Sequence, residues 1–252
     1  MKHYYKDLEG WWGDIDASLY AKMVDRFNSG SHFVEIGSFK GRSSSSMAVE
    51  IINSGKNIRF DCVDTWLGSA EHQENHNCED GDVVSGEMFN VFLKNTQNVS
   101  HVINPIKLSS EEASKLYEDN SIDFVFIDGA HDPRNVLKDV CNWSPKVKRG
   151  GIIAGHDYGD GHLGVKIVVD LFFKPIISCV QTFKDCSWWM VEKNFQIPEE
   201  YTFDNLIGSV IMDFDNQYLR CVNRQNNTKK KKKTKRHILW NRDADGKMVR
   251  HD

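Results

Sequence analysis

The chain has 252 residues, of which 40% are hydrophobic and 27% charged, and its formal net charge is −4. A chain of this length and composition can bury one hydrophobic core of good size. It has no apolar run of membrane-spanning length and no apolar signal-peptide centre near Met1. Its six cysteines are irregularly spaced with no Cys-x-x-Cys, a pattern that fits reduced thiols and predicts a cytoplasmic protein.

The hydrophobic pattern predicts alternating helices and strands along most of the chain. In chain order the predicted elements are a helix over 14–28, a strand over 32–36, a helix around Met47, a strand ending at Asp64, a helix over 83–95, a strand over 99–107, a short helix after Ser109, a strand ending at Asp128, a helix from Pro133, a strand over 151–155, a helix over 163–173 and two strands over 176–182 and 188–192. Pro105 argues that the third strand lies at a sheet edge. This alternation predicts an α/β fold of the Rossmann-like, doubly wound class with a mainly parallel sheet.

The turn after the first strand is the most informative segment of the chain. Gly37 and Gly41 follow the strand, and Ser43 stands where the next helix begins. Glycine permits a positive φ and a close approach of a ligand, and a helix N-terminus offers N–H groups. Glu35, just before the turn, would repel a phosphate but pair with an ammonium group. The segment therefore predicts a site for an amino-acid-bearing cofactor such as S-adenosylmethionine (SAM).

Two further acids end predicted strands. Asp64 ends the second strand, where a carboxylate can accept hydrogen bonds from both hydroxyls of a ribose. Asp128 ends the fourth strand, and His131 follows it closely. Both acids are expected at the same edge of the sheet as Glu35.

Four ordered motifs carry a family resemblance. They are Glu-Ile-Gly-Ser-x-x-Gly from Glu35, Val-Asp-Thr-Trp ending at Trp66, Phe-Ile-Asp-Gly-Ala-His ending at His131, and Gly-Gly-Ile-Ile-Ala-Gly-His-Asp-Tyr from Gly150. Residues 30–195 resemble a class I SAM-dependent methyltransferase, most of all the methyltransferase-domain-24 group, whose relatives include catechol and macrolide-sugar O-methyltransferases. The resemblance implies a seven-stranded sheet of order 3-2-1-4-5-7-6 that ends in an antiparallel hairpin.

The resemblance also implies cofactor-binding roles for individual residues. The residues expected around the methionine part of SAM are Glu35, Gly37, Ser38 and Gly41, and Ser43 and Asp128 belong to the same predicted set. Asp64 would hold the ribose, Trp66 would flank the adenine and Ser109 would contact the adenine edge.

Two ways of activating an acceptor oxygen are left open. In the catechol relatives, acids at the ends of the fourth and fifth strands bind magnesium, and Asp128 and Asp157 occupy those positions here. Alternatively, His131 or His156 would act as the base, because imidazole titrates near neutrality. The predicted catalytic residues are therefore His131, His156 and Asp128, and the predicted metal ligands are Asp128 and Asp157.

The charge is unevenly distributed, because residues 221–252 carry 11 Lys/Arg against 3 Asp/Glu. We predict an N-terminal helical extension over 1–29, a methyltransferase domain over 30–195, a C-terminal extension over 196–228, a basic linker over 229–236 and a short hairpin over 237–252. The run Lys229–Arg236 is predicted to be solvated, and contact with nucleic acid or another polyanion is left open.

These patterns together predict a SAM-dependent O-methyltransferase that acts on a small hydroxylated acceptor, such as a sugar or glycan unit. No membrane partner is expected, and a homo-oligomer is left open. One alternative is an NAD-type Rossmann oxidoreductase, against which Glu35 and the missing third glycine argue. The other is a non-catalytic SAM-binding module tethered by the basic tail.

Overall fold

The computed structural model describes residues 1–69, 72–73, 80–159, 161–178, 180–182, 188–236, 239–242 and 248–251, with side-chain environments as far as residue 220. The helices are α1 (Asp14–Arg26), α2 (Arg42–Ser54), α3 (Gly81–Val84), α4 (Met88–Asn95), α5 (Ser110–Ser114), α6 (Pro133–Trp143), α7 (Leu163–Phe173) and α8 (Phe203–Arg236). The strands are β1 (His32–Ile36), β2 (Arg59–Asp64), β3 (Ile103–Lys107), β4 (Ile122–Ile127), β5 (Val147–His156), β6 (Gln181–Thr182), β7 (Trp188–Glu192), β8 (Leu239–Arg242) and β9 (Met248–His251).

Seven of the strands form one sheet of order β3-β2-β1-β4-β5-β7-β6. The first five pair in parallel, and β7 runs antiparallel to both β5 and β6. The predicted fold class and strand order are confirmed, and β3 with its Pro105 lies at an edge. Because the winding reverses between β1 and β4, the carboxyl ends of these two strands border the crevice where this architecture binds ligands.

Helices cover both faces of the sheet. Phe33 of β1 packs into a cluster with Leu19 of α1 and Met47 of α2, whereas Val34 belongs to a cluster on the opposite face with Leu137 of α6. Successive side chains of a strand point to opposite faces. Glu35 therefore faces α1 and α2, and α1 belongs to the same core as the sheet although the sequence predicts it as an extension.

Several element bounds differ from the sequence-based predictions. The helix predicted over 83–95 is two helices, α3 and α4, because Gly86 takes a φ of +78° between them. β3 begins only at Ile103, after a 3-10 turn at Gln97–Val99, and β5 begins earlier than predicted, at Val147. β6 has two residues, and the segment over 183–187 that joins it to β7 lies outside the described residues.

The C-terminal part consists of a long helix and a two-stranded hairpin. α8 includes Lys229–Arg236, where the sequence predicts a solvated linker, and lysine and arginine are good helix formers. β8 and β9 pair antiparallel within the predicted hairpin over 237–252. Among the described residues, no helix combines the length and apolar character needed to cross a membrane.

Candidate active site

The loop between β1 and α2 lies against the end of β4. Gly37 has a φ of +90°, and a Cβ at this position would lie 2.0 Å from the backbone oxygen of Asp128. The Gly37 N–H donates to the Val63 carbonyl, and the Asp128 N–H donates to the Ile36 carbonyl. Only glycine fits at this position, because a side chain would collide with the backbone of Asp128. The two hydrogen bonds bring the ends of β1, β2 and β4 together at one corner of the sheet.

Glu35 is 1% exposed and accepts hydrogen bonds from side chains of this loop and of the neighbouring helices α1 and α2. One carboxylate oxygen accepts from the Tyr20 hydroxyl at 2.8 Å, and the other accepts from the Ser38 hydroxyl at 2.8 Å and from the Ser44 hydroxyl. Burial raises the pKa of Glu35, although the hydroxyls of Ser44, Tyr20, Ser38 and Ser43 oppose the rise. The described contacts of Glu35 are those of a residue that positions the loop, and its predicted contact with the cofactor's ammonium group stays a prediction.

Asp64 lies at the end of β2 and accepts two backbone hydrogen bonds. Its Oδ2 accepts from the Phe39 N–H at 2.8 Å and its Oδ1 accepts from the Trp66 N–H at 2.7 Å. Both donors have a positive φ, 45° for Phe39 and 53° for Trp66, a conformation that costs free energy outside glycine. Burial raises the pKa of Asp64, and the backbone N–H groups counteract it. Each oxygen keeps acceptor capacity, as a ribose ligand requires.

The predicted adenine contacts have structural roles in this geometry. Trp66 is 2% exposed, donates to the Phe39 carbonyl and packs against Phe89 and Phe92 at 4.6 and 4.7 Å. Ser109 caps α5 in a reciprocal pair with Glu112. Their contact with adenine stays a prediction, as does the role of Ser43 in the first turn of α2.

His156 ends β5 and lies among three carboxylates. Its Nδ1 is 3.2 Å from an Asp157 oxygen and 3.8 Å from an Asp128 oxygen, and its Nε2 is 3.5 Å from an Asp16 oxygen. Burial by itself lowers the pKa of an imidazole, but the acids outweigh burial and raise the pKa of His156 to about 11. Burial raises the pKa of Asp128 to about 7, and the nearby His156 limits the rise. Near neutrality His156 is therefore a cation and a poor base.

Asp157 also contacts two further histidines, His131 and His162. The Nε2 of His131 is 2.9 Å from Asp157 Oδ2, and the Nδ1 of His162 is 3.0 Å from Asp157 Oδ1. Burial works against ionisation of Asp157, yet the histidines hold the pKa of Asp157 far below its usual range. Asp157 has a φ of +61°, a further strained position at this edge of the sheet.

Two groups of three side chains lie close enough to share an ion. They are Asp128, His156 and Asp157, and His131, Asp157 and His162, with the ligand atoms of each group all within 4.8 Å of one another. The predicted magnesium ligands Asp128 and Asp157 do come together. The His156 imidazolium lies beside both, however, so this set does not fit a magnesium ion well, because that ion prefers oxygen ligands alone.

Sequence reasoning missed two residues of the cluster, Asp16 and His162. Asp16 and Trp12 come from the N-terminal segment, where Trp12 is 3% exposed with its ring 6.2 Å from that of His156. His162 precedes α7, five residues after Asp157 in sequence. The His-Asp pair at 156–157 followed by His162 was a visible signal, whereas nothing local indicates that α1 reaches β5.

The family comparison concerns this corner directly. Residues 34–158 match the model of the methyltransferase-domain-24 family, whose description reads "Methyltransferase domain". The chain contains a methyltransferase domain of this family. The matched part runs from β1 through β5, so the methyltransferase region includes the glycine loop, Asp64, and the cluster around Asp157 except Asp16, Trp12 and His162. No curated protein matches the chain.

Solved structures share the methyltransferase fold. The SAM-dependent O-methyltransferase from Thermotoga maritima is 13% identical, with a TM-score of 0.52 over 77% of this chain and 70% of that chain. The O-methyltransferase NovP is 15% identical, with a TM-score of 0.53 over 70% of this chain and 78% of that chain. At these identities the likeness concerns the fold. The antiparallel β7 and the family match favour the methyltransferase over the NAD-type oxidoreductase.

Proposed function

We propose that this methyltransferase moves the methyl group of SAM to an oxygen of a small hydroxylated acceptor, such as a sugar or glycan unit. The observation that carries the proposal is the adjacency of two features. The Gly37 turn lies against the backbone of Asp128, and the Asp128 side chain lies within the histidine–aspartate cluster. A cofactor in the turn would therefore have its reactive end beside groups that can activate a hydroxyl.

The residues of the corner fit the proposed cofactor. Gly37 lets the loop pack directly on the backbone of Asp128, and Glu35 holds the loop in its bent conformation by accepting hydrogen bonds from side-chain hydroxyls. The partly exposed Asp64 keeps acceptor capacity for ribose hydroxyls. Asp128, which is 21% exposed at its side chain, would offer a carboxylate to the ammonium group of the methionine part.

In this reaction the protein must align the acceptor oxygen with the methyl group of SAM and remove one proton from that oxygen. SAM supplies an electrophilic methyl group; an O–C bond forms as the S–C bond breaks, and the hydroxyl proton must leave the acceptor oxygen. His131 suits this proton transfer better than His156, because three acids keep His156 protonated. Asp157, paired with His131 at 2.9 Å, would orient that ring and stabilise its cation.

The acceptor would be covered by the N-terminal segment. Trp11 is 69% exposed, and its ring lies 5.6 Å from Phe39 of the glycine loop and 6.0 Å from His72. Its neighbour Trp12 is buried beside His156. An exposed aromatic surface next to a polar cluster suits a ring-shaped acceptor with one apolar face and several hydroxyls.

The decisive experiment measures methyl transfer from SAM that carries a labelled methyl group. The full chain is incubated with monosaccharides, oligosaccharides and catechols, and the label is located by mass spectrometry. We expect label on a hydroxyl oxygen, loss of transfer in His131→Asn, and no change in the exposed control His101→Asn. SAM binding without transfer to any acceptor would favour the non-catalytic module, and NAD binding in place of SAM would overturn the proposal.

Cytoplasmic location, homo-oligomer formation and polyanion contact through Lys229–Arg236 stay predictions. None of these three predictions enters the argument for methyl transfer.

A further inference from the structure

Three side chains beside the proposed acceptor site have the composition of a transition-metal site. His131, Asp157 and His162 offer two imidazole nitrogens and a carboxylate, with all ligand atoms within 4.8 Å. Two histidines and one carboxylate are a set that zinc and iron favour, whereas magnesium and calcium favour oxygen ligands. His162 has no part in the magnesium site predicted from the sequence.

The distances agree with one shared ion. His131 Nε2 is 2.9 Å from one Asp157 oxygen, and His162 Nδ1 is 3.0 Å from the other. Two ligand atoms of a tetrahedral zinc ion, each about 2.0 to 2.1 Å from the metal, are about 3.3 Å apart. Little side-chain movement is therefore needed to place an ion between these groups.

The backbone holds the three ligands in place. A Cβ added at Gly164 would lie 2.3 Å from the His131 carbonyl oxygen, so the start of α7 packs tightly on the segment that carries His131. The turn from Asp157 to His162 is closed by the Gly159 N–H on the Asp157 carbonyl and the His162 N–H on the Gly159 carbonyl. The two imidazole rings consequently lie with centroids 4.7 Å apart.

We propose that His131, Asp157 and His162 bind one divalent transition-metal ion, with zinc as the reference ion. Asp157 contacts His156, and His156 lies near Asp128 at the carboxyl end of β4, so the ion would lie at the edge of the acceptor site. With the ion bound, His131 would serve as a ligand rather than as the base, and the ion would lower the pKa of the acceptor hydroxyl enough for its proton to pass to solvent water. This inference deepens the proposed function and rests on it for the metal's role, although binding itself can be tested independently.

The test is calorimetric titration of the chelator-treated full chain with Zn²⁺ and, separately, with Mg²⁺. We expect one Zn²⁺ per chain, bound at least about tenfold more tightly than Mg²⁺, and a loss of at least about tenfold in Zn²⁺ affinity in His162→Ala. His162 is 43% exposed at its side chain and makes no side-chain cap to α7, so this variant should fold. The exposed His101→Ala is the matched control and should bind Zn²⁺ as the wild type does.

A second variant distinguishes the two possible ion positions. Asp128→Asn removes a ligand only from the group that contains His156, so it should leave Zn²⁺ affinity within about threefold of wild type. Unchanged Zn²⁺ affinity in His162→Ala, or a loss confined to Asp128→Asn, would overturn the proposal. SAM affinity is measured on the same samples: its absence would count against the proposed function, whereas SAM binding and methyl transfer without a zinc site would remove only this inference.

Discussion

Asp139 of α6 is a buried acid to which the proposed chemistry gives no role, and its replacement by asparagine should change how stability depends on pH. The side chain is 7% exposed, accepts a hydrogen bond from the Ser110 hydroxyl, and burial raises its pKa to about 7. Because the pKa in the folded state exceeds that of the unfolded chain, the folded protein binds the extra proton. The stabilisation is complete below about pH 4 and is lost as the pH rises to about 7.

The magnitude follows from the size of the shift. A pKa of about 7 in the folded state against about 3.9 in the unfolded chain means that ionisation of Asp139 lowers the free energy of unfolding by about 4 kcal/mol by pH 8. An asparagine side chain in place of Asp139 would keep the acceptor for Ser110 and cannot ionise. We therefore expect the free energy of unfolding of Asp139→Asn, relative to wild type, to rise by about 2 to 4 kcal/mol between pH 5 and pH 8.

Urea unfolding followed by tryptophan fluorescence at several pH values measures this difference. The exposed Asp25→Asn serves as the matched control and should follow the wild-type pH profile. Using differences between variant and wild type removes the contribution of all other titrating groups. Parallel pH profiles for Asp139→Asn and wild type would show that burial does not raise this pKa.

Three further changes test the corner and the sheet. Gly37→Ala should reduce SAM affinity at least tenfold in calorimetry and lower the melting temperature, because the new Cβ would lie 2.0 Å from a backbone oxygen; unaltered binding would contradict the close packing. Asp64→Ala should weaken SAM binding by about tenfold or more, about 1.4 kcal/mol, and full affinity would rule out the ribose contact. Asp61→Ala should reduce the free energy of unfolding, measured with urea, by about 3 to 5 kcal/mol, because this fully buried carboxylate bonds to His32, Arg59, Asn104 and Tyr117. These partners lower the pKa of Asp61 to about 2, although burial opposes the change. The contribution of the Asp61 carboxylate to stability is present above about pH 4 and is lost as the pH falls towards 2. If the difference in unfolding free energy between wild type and Asp61→Ala stays constant over that interval, the lowered pKa is refuted.

Much of the fold is readable from the chain because the signals are local. The apolar run that ends at Ile36, the acid at Asp64 and the proline that opens α6 each depend on a few neighbouring residues. Alternation along β1 even predicts that Glu35 points to the same face as Phe33. The strand order came from the family resemblance, because no local pattern specifies which strands become neighbours.

The amino-acid sequence alone determined which elements form and which polar residues stand at strand ends, since both follow from backbone period and turn chemistry. Tertiary packing decided what those polar residues do. It brought Tyr20 of α1 to Glu35, Asp16 to His156, and His162 to Asp157. Protonation and ligand choice depend on charges a few ångströms away in space, and residues far apart in the chain supply many of those charges.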